Sequence, residues 1–292
     1  MNSQMTDLYG LDEEARVPRW QRKLRMALRV LALALVVCLA GAFLFPMQAH
    51  AGRSCEQARP TPDNVIQGMQ LAERTSQALD ASGARVVLLA RAGQDLTRYG
   101  LEWSHLGLAY KTGAGPWRVA HKLNQCGTAV AGVYRQGLGE FFLDDPWRYR
   151  AAWAVPTPAV QAQLLALLEA PTDSLVRLHT PDYSIVSYAW AQKYQQSNQW
   201  ALETLAAAME PGTIRTRAQA QAWLQFKGYE PGVLALGPLT RLGGRVSKAN
   251  VAFDDHPNDK RFSDRIETIT ADSVFAWLQR SGLGAAPVTL AL

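Results

Sequence analysis

Metal-site spacing is missing from this chain. Its three cysteines and five histidines form no C-x-x-C and no H-x-x-x-H pair, which removes the common zinc patterns. No G-x-x-x-x-G-K-[ST] phosphate loop occurs, and "LGGRVSKAN" (242–250) lacks that spacing, so neither a nucleotide nor any other cofactor is expected. The net charge is only +5 over 292 residues, with no basic cluster to suggest nucleic acid. There is no internal repeat. The longest apolar run, "VLALALVVCLAGAFLF" (30–45), is shorter than the ~20 residues that span a bilayer.

That run has a different use. Arg16, Arg19, Arg22, Lys23, Arg25 and Arg29 precede it, and Pro46 and Ala49-His50-Ala51 follow. A basic segment, a short apolar segment and an A-x-A site define a secretory signal peptide over 1–51, with cleavage after Ala51. An uncleaved anchor is the competing reading, and Met26 is a second candidate start. Residues 52–292 then form one domain, periplasmic or secreted, meeting membrane only through an uncleaved leader. In an oxidising compartment the two remaining cysteines, Cys55 and Cys126, are expected to form a disulfide.

Within that domain, Thr61-Pro62 starts a helix that Gly83 ends. "ARVVLLAR" (84–91) is a buried strand. "SHLGLAY" and "WRVAHKL" flank the turn "KTGAGP" and predict an antiparallel hairpin whose paired residue numbers sum to about 228. "VAGVYRQ" and "RYRAAWAVP" are further strands, "TPAVQAQLLALLEA" (157–170) is a helix, and another begins at or beside Ser197. Thr216 and Gln219 make a capping box. The C-terminal part reads as a glycine-rich hairpin, a polar loop and a last helix. The fold class is α+β, a mostly antiparallel sheet packed against helices.

The chemistry centres on "WSHLGLAY" (103–110). Strand alternation places His105, Gly107 and Ala109 on one face, and the small neighbours leave room at the ring. The hairpin register sets His105 diagonal to His121, close enough for one imidazole to orient the other, as general-base catalysis requires. A nucleophile is supplied by Ser197, because a helix start stabilises negative charge on an oxyanion. Trp103, Asn198 and Trp200 flank these residues and could line a groove. Each has a plainer explanation: a buried histidine bonded to backbone, a strand histidine at an edge, a serine that merely caps its helix. Asp254, Asp255 and His256 in "DDHPND" are three consecutive residues that point different ways, and a polar turn fixed by Pro257 explains them without a metal.

Two resemblances add to this. "WSHLGLAY", a polar residue on the next strand and a nucleophile opening a later helix resemble the circularly permuted branch of the NlpC-like, papain-fold hydrolases. The matching positions are His105, His121 and Ser197, the last within "YQQSNQWALETLA". This implies a papain-like core over about 84–210 with an extension at 211–292, and a hydrolase or acyl or peptidyl transferase acting on amide or ester bonds, peptidoglycan peptides foremost. Those enzymes carry cysteine where this chain has Ser197, a far poorer nucleophile there. The alternative is a non-catalytic envelope protein that keeps the groove. The whole exported part, through "ARAGQDLTRYGLEWSHLGLAY", "HKLNQCGT" and "DDHP", also resembles an uncharacterised group of exported bacterial proteins, domain-of-unknown-function family 2145, which implies no established activity.

Overall fold

A computed structural model describes residues 19–44 and 61–292, apart from 114 and 145. The chain divides into two units, Met1–Gln48 and Ala49–Leu292. In the first, helix α1 runs over Arg19–Leu44. No described helix is long and apolar enough to cross a membrane. The expected cleavage site at Ala49-His50-Ala51, and Cys55, lie outside the described residues.

The second unit is organised by strand β1 (Val86–Arg91), six consecutive buried residues. A strand buried on both faces needs cover on both. Val86, Leu88 and Ala90 face one core, Val87 and Leu89 the other. Around it stand β2 (His105–Lys111), β3 (Trp117–Asn124), β4 (Ala131–Gly137) and β5 (Arg150–Ala154), with β8 (Val288–Ala291) at the far edge. The order is β4-β3-β2-β1-β5-β8, and every neighbouring pair is antiparallel. In the β2–β3 hairpin Leu108 pairs Ala120 and Ala109 pairs Val119, the register set by the turn. Gly113 supplies the positive φ of 44° that this turn requires.

Helices α2 (Pro62–Ala81) and α3 (Leu138–Leu143) cover one face through Leu71, Leu79, Phe141 and Phe142. Thr61 caps α2 by accepting from the Asn64 amide at 3.2 Å. The other face carries α4 (Pro158–Glu169), the short α5 (Thr172–Val176), α6 (Ser197–Met209) and α7 (Arg217–Phe226). Thr216 and Gln219 form the capping box of α7. The chain continues through β6 (Gly232–Ala235), α8 (Pro238–Ser247), α9 (Asn258–Arg261), β7 (Arg265–Thr268) and α10 (Ala271–Arg280). β6 and β7 pair as a separate two-stranded sheet. Val186, Leu234, Leu236, Phe253 and Ile266 form a small apolar cluster of their own around it.

One expected element is corrected. The glycine-rich stretch from Leu242 is the end of helix α8, not a hairpin. Gly237 and Pro238 begin a helix, and Leu239, Leu242 and Val246 repeat at helical spacing. Together these outweigh the cost of about 1 kcal/mol for each of Gly243 and Gly244.

Candidate active site

His105 is the first residue of β2, and its Nε2 lies 2.9 Å from Nδ1 of His121 on β3. His121 Nε2 in turn lies 2.7 Å from Gln136 Oε1 on β4. Three side chains from three adjacent strands thus form one chain. A carbonyl oxygen can only accept, so His121 Nε2–H donates to Gln136. The neutral ring then offers Nδ1 as acceptor, and His105 donates to it through Nε2–H. This places a proton on the His105 Nε2. Burial holds the His121 pKa at about 4, with repulsion from the Arg91 guanidinium adding to it, so the ring stays neutral. Phe141 of α3 packs against both imidazoles, at 5.8 and 5.3 Å between ring centroids. Gly107 makes that approach feasible: a Cβ there would sit 2.5 Å from Val119 Cγ1 and 3.3 Å from His121 Cβ.

Ser197 opens α6 as its first helical residue, but it is not the cap. Gln196 is: its Oε1 accepts from the Asn198 amide at 3.0 Å. Gln196 is held in turn by donating to Thr268 Oγ1 at 3.3 Å and to the Ile269 carbonyl. Capping therefore does not explain the Ser197 hydroxyl. That hydroxyl lies 3.5 Å from the Tyr183 hydroxyl. Among the described residues no hydrogen bond joins it to His105. Asn198 ties the helix start to the sheet: Oδ1 accepts from the Leu106 amide at 2.8 Å and Nδ2 donates to Ile269 O at 3.3 Å.

Behind this helix start lies a buried ionic network. The Glu203 carboxylate of α6 accepts from Arg217 Nε at 2.8 Å, Gln195 Nε2 at 2.6 Å and Gln221 Nε2 at 2.7 Å. Arg217 also donates to the carbonyls of Ala191, Gln192 and Tyr194, clamping the segment that enters Ser197. Lys122, next to His121 and therefore on the opposite sheet face, donates to Gln195 Oε1 at 2.9 Å. Its burial, then the nearby Arg217, pull its pKa down to about 7 against the attraction of Glu203 and Asp182.

A cavity of about 680 Å³ brings these parts to one place. His105, Ser197, Asn198, Trp103, Tyr183 and Cys126 all line it. Cys126 is not a free thiol. His121 stands behind His105, fully buried. One expectation for the groove changes. Trp200 is fully buried in the core beneath α6: it lies within about 60° of the Ser197 face but nearly one turn further along the helix, away from the helix start. Asn198 lines the cavity and at the same time acts as a tie, since each of its polar atoms bonds backbone. Gln136, Tyr183 and the Lys122–Glu203–Arg217 group were not anticipated. For Gln136 the signal was available: it stands two residues beyond Tyr134, the partner of His121, on the same face.

The "DDHP" stretch is also more than a polar turn. His256 Nδ1 and Asp255 Oδ1 are 2.9 Å apart with both side chains buried, and Asp255 accepts from the Tyr188 amide at 2.9 Å. It fastens the C-terminal part to the loop before α6. Among the described residues no group of three or more His, Cys, Asp or Glu could hold a metal ion.

The fold and site define an α+β domain whose antiparallel sheet carries a histidine relay to a cavity shared with a helix start. The chain belongs to the family described as "Uncharacterized protein conserved in bacteria (DUF2145)", which matches residues 78–278. No curated protein and no solved structure matches it.

Proposed function

We propose that this chain is an exported cell-envelope protein with a circularly permuted, papain-like core. It acts as a hydrolase or as an acyl or peptidyl transferase on amide or ester bonds, with peptidoglycan peptides as the substrate class. One observation carries this reading: the Gln136–His121–His105 chain ends in the cavity that Ser197 also lines. His105 Nδ1 takes the Ser197 proton as Oγ attacks the carbonyl carbon. The resulting imidazolium then protonates the leaving group. In this reading the Ser197 N–H at the helix start, which makes no hydrogen bond among the described residues, stabilises the oxyanion. Water, activated by the same imidazole, releases the acyl group from Oγ. The leader is removed after Ala51, and Cys55 is the disulfide partner of Cys126. The intact mass of the secreted protein, reduced and unreduced, checks both.

A fluorophosphonate probe tests the activity. Labelling at Ser197 that disappears in Ser197→Ala and in His105→Ala supports it, and absence of labelling in a folded protein overturns it. A second reading, a groove that binds without reacting, is favoured by the Ser197 hydroxyl lying beside Tyr183 and making no hydrogen bond to His105. Under that reading the probe never labels, while envelope fragments still bind.

A further inference from the structure

Helix α8 divides into three faces. Thr240, Gly243, Gly244 and Ser247 line the cavity. Leu239, Leu242 and Val246 fall within an arc of about 60° and point to solvent, 84 %, 60 % and 60 % exposed. Arg241 and Arg245 lie beyond that arc, and Lys248, exposed at the helix end, also borders the cavity. The helix contains no acidic residue, and among the described residues none of these three cations makes an ion pair. Arg241 donates to the Arg261 carbonyl, which ties the turn carrying Phe262, 73 % exposed, to the same helix.

An apolar row kept in water costs free energy unless something covers it. Four apolar side chains fall well short of the ~800 Å² per partner of a stable protein interface, so a second copy of the chain is a poor fit. Leucine, valine and phenylalanine beside uncompensated arginine and lysine are instead the composition of a helix lying in a membrane interface. We infer that α8, with the Phe262 turn, docks on an anionic lipid bilayer. The apolar row enters the acyl boundary while Arg241, Arg245 and Lys248 meet lipid phosphates. Because another face of the same helix lines the cavity, docking sets the cavity against the membrane surface. The surface lies outside the leader and is independent of whether Ser197 is a nucleophile.

Hydrogen exchange of the full chain in phosphatidylglycerol vesicles, compared with phosphatidylcholine vesicles, tests this. The basic leader is present in both samples and itself favours phosphatidylglycerol, so the readout is confined to the α8 and Phe262 peptides and to their response to substitutions in α8. Peptides covering 238–248 and 258–263 should gain protection with phosphatidylglycerol. Arg245→Gln with Lys248→Gln, both exposed, should cut that added protection about 30-fold. Leu242→Glu should abolish it. Equal exchange in the two lipids overturns the inference. So does the same protection in a concentrated lipid-free sample, which would assign the face to a second copy.

Discussion

Replacing Lys122 by methionine should flatten the pH dependence of stability on the alkaline side of neutrality. In the folded protein burial brings the Lys122 ammonium down to about 7, from 10.5 for a free lysine. Between those values the unfolded chain holds a proton that the native chain has lost, so stability rises with pH. The penalty is fully present below about 7, is relieved as pH climbs, and is gone above the unfolded value. One proton of difference is worth about 1.4 kcal/mol per pH unit. From pH 7 to 9.5 the unfolding free energy should therefore climb by up to roughly 3 kcal/mol. Beyond that window Tyr229 opposes the trend, because burial raises its phenol and stability falls as the unfolded tyrosine ionises. Urea unfolding at half-unit pH steps measures the slope. Lys122→Met also loses the bond to Gln195, so its absolute stability is lower at high pH, but its profile should be nearly level. Parallel profiles for the two proteins would show that Lys122 is charged in the fold and that the burial reasoning is wrong.

His121 carries the same logic into acid. With a folded value of about 4 against 6.5, it contributes stability that is lost as pH falls from about 6.5 through 4, and His121→Phe should remove that part of the acid transition in a pH-dependent melt. Glu203→Ala leaves Arg217, Gln195 and Gln221 without their shared acceptor. A loss of about 3–5 kcal/mol is expected, seen as a Tm drop on the order of 10 °C, and a change under 1 kcal/mol would mean the network is solvated. Gly107→Ala forces a methyl into Val119, His121 and Phe141 and should cost about 1–3 kcal/mol while slowing any labelling at Ser197. Ser197→Cys should react with iodoacetamide at neutral pH, and adding His105→Ala should slow that reaction by about 10²–10⁴-fold. Equal rates in the two cysteine variants would remove His105 from the site.

How far the site could be read in advance depended on how local each feature is. The β2–β3 hairpin was legible because "KTGAGP" fixes the turn and strand alternation fixes the faces, so the meeting of His105 with His121 followed from counting. Gln136 required one more register, that of β3 with β4, and no short turn sets it: six residues separate Asn124 from Ala131. Helix α8 was misread because two adjacent glycines suggest a turn, while the repeat of Leu239, Leu242 and Val246 spans them. Trp200 shows the opposite failure, since sharing a helix face with Ser197 says nothing about how deeply the next turn is buried. The Ser197 hydroxyl is the instructive case. Serine at a helix start is explained by capping until a neighbour is seen to cap instead, and only coordinates show Gln196 bent back onto the Asn198 amide. With that duty taken, the buried hydroxyl at the positive end of α6, in the cavity that His105 lines, keeps among the described residues a single long hydrogen bond, 3.5 Å to Tyr183, a small structural task. Ser197→Ala should therefore leave the melting temperature within about 2–4 °C of the parent, corresponding to less than ~1 kcal/mol. A larger loss would make the hydroxyl a packing element and withdraw the strongest reason for assigning it chemistry.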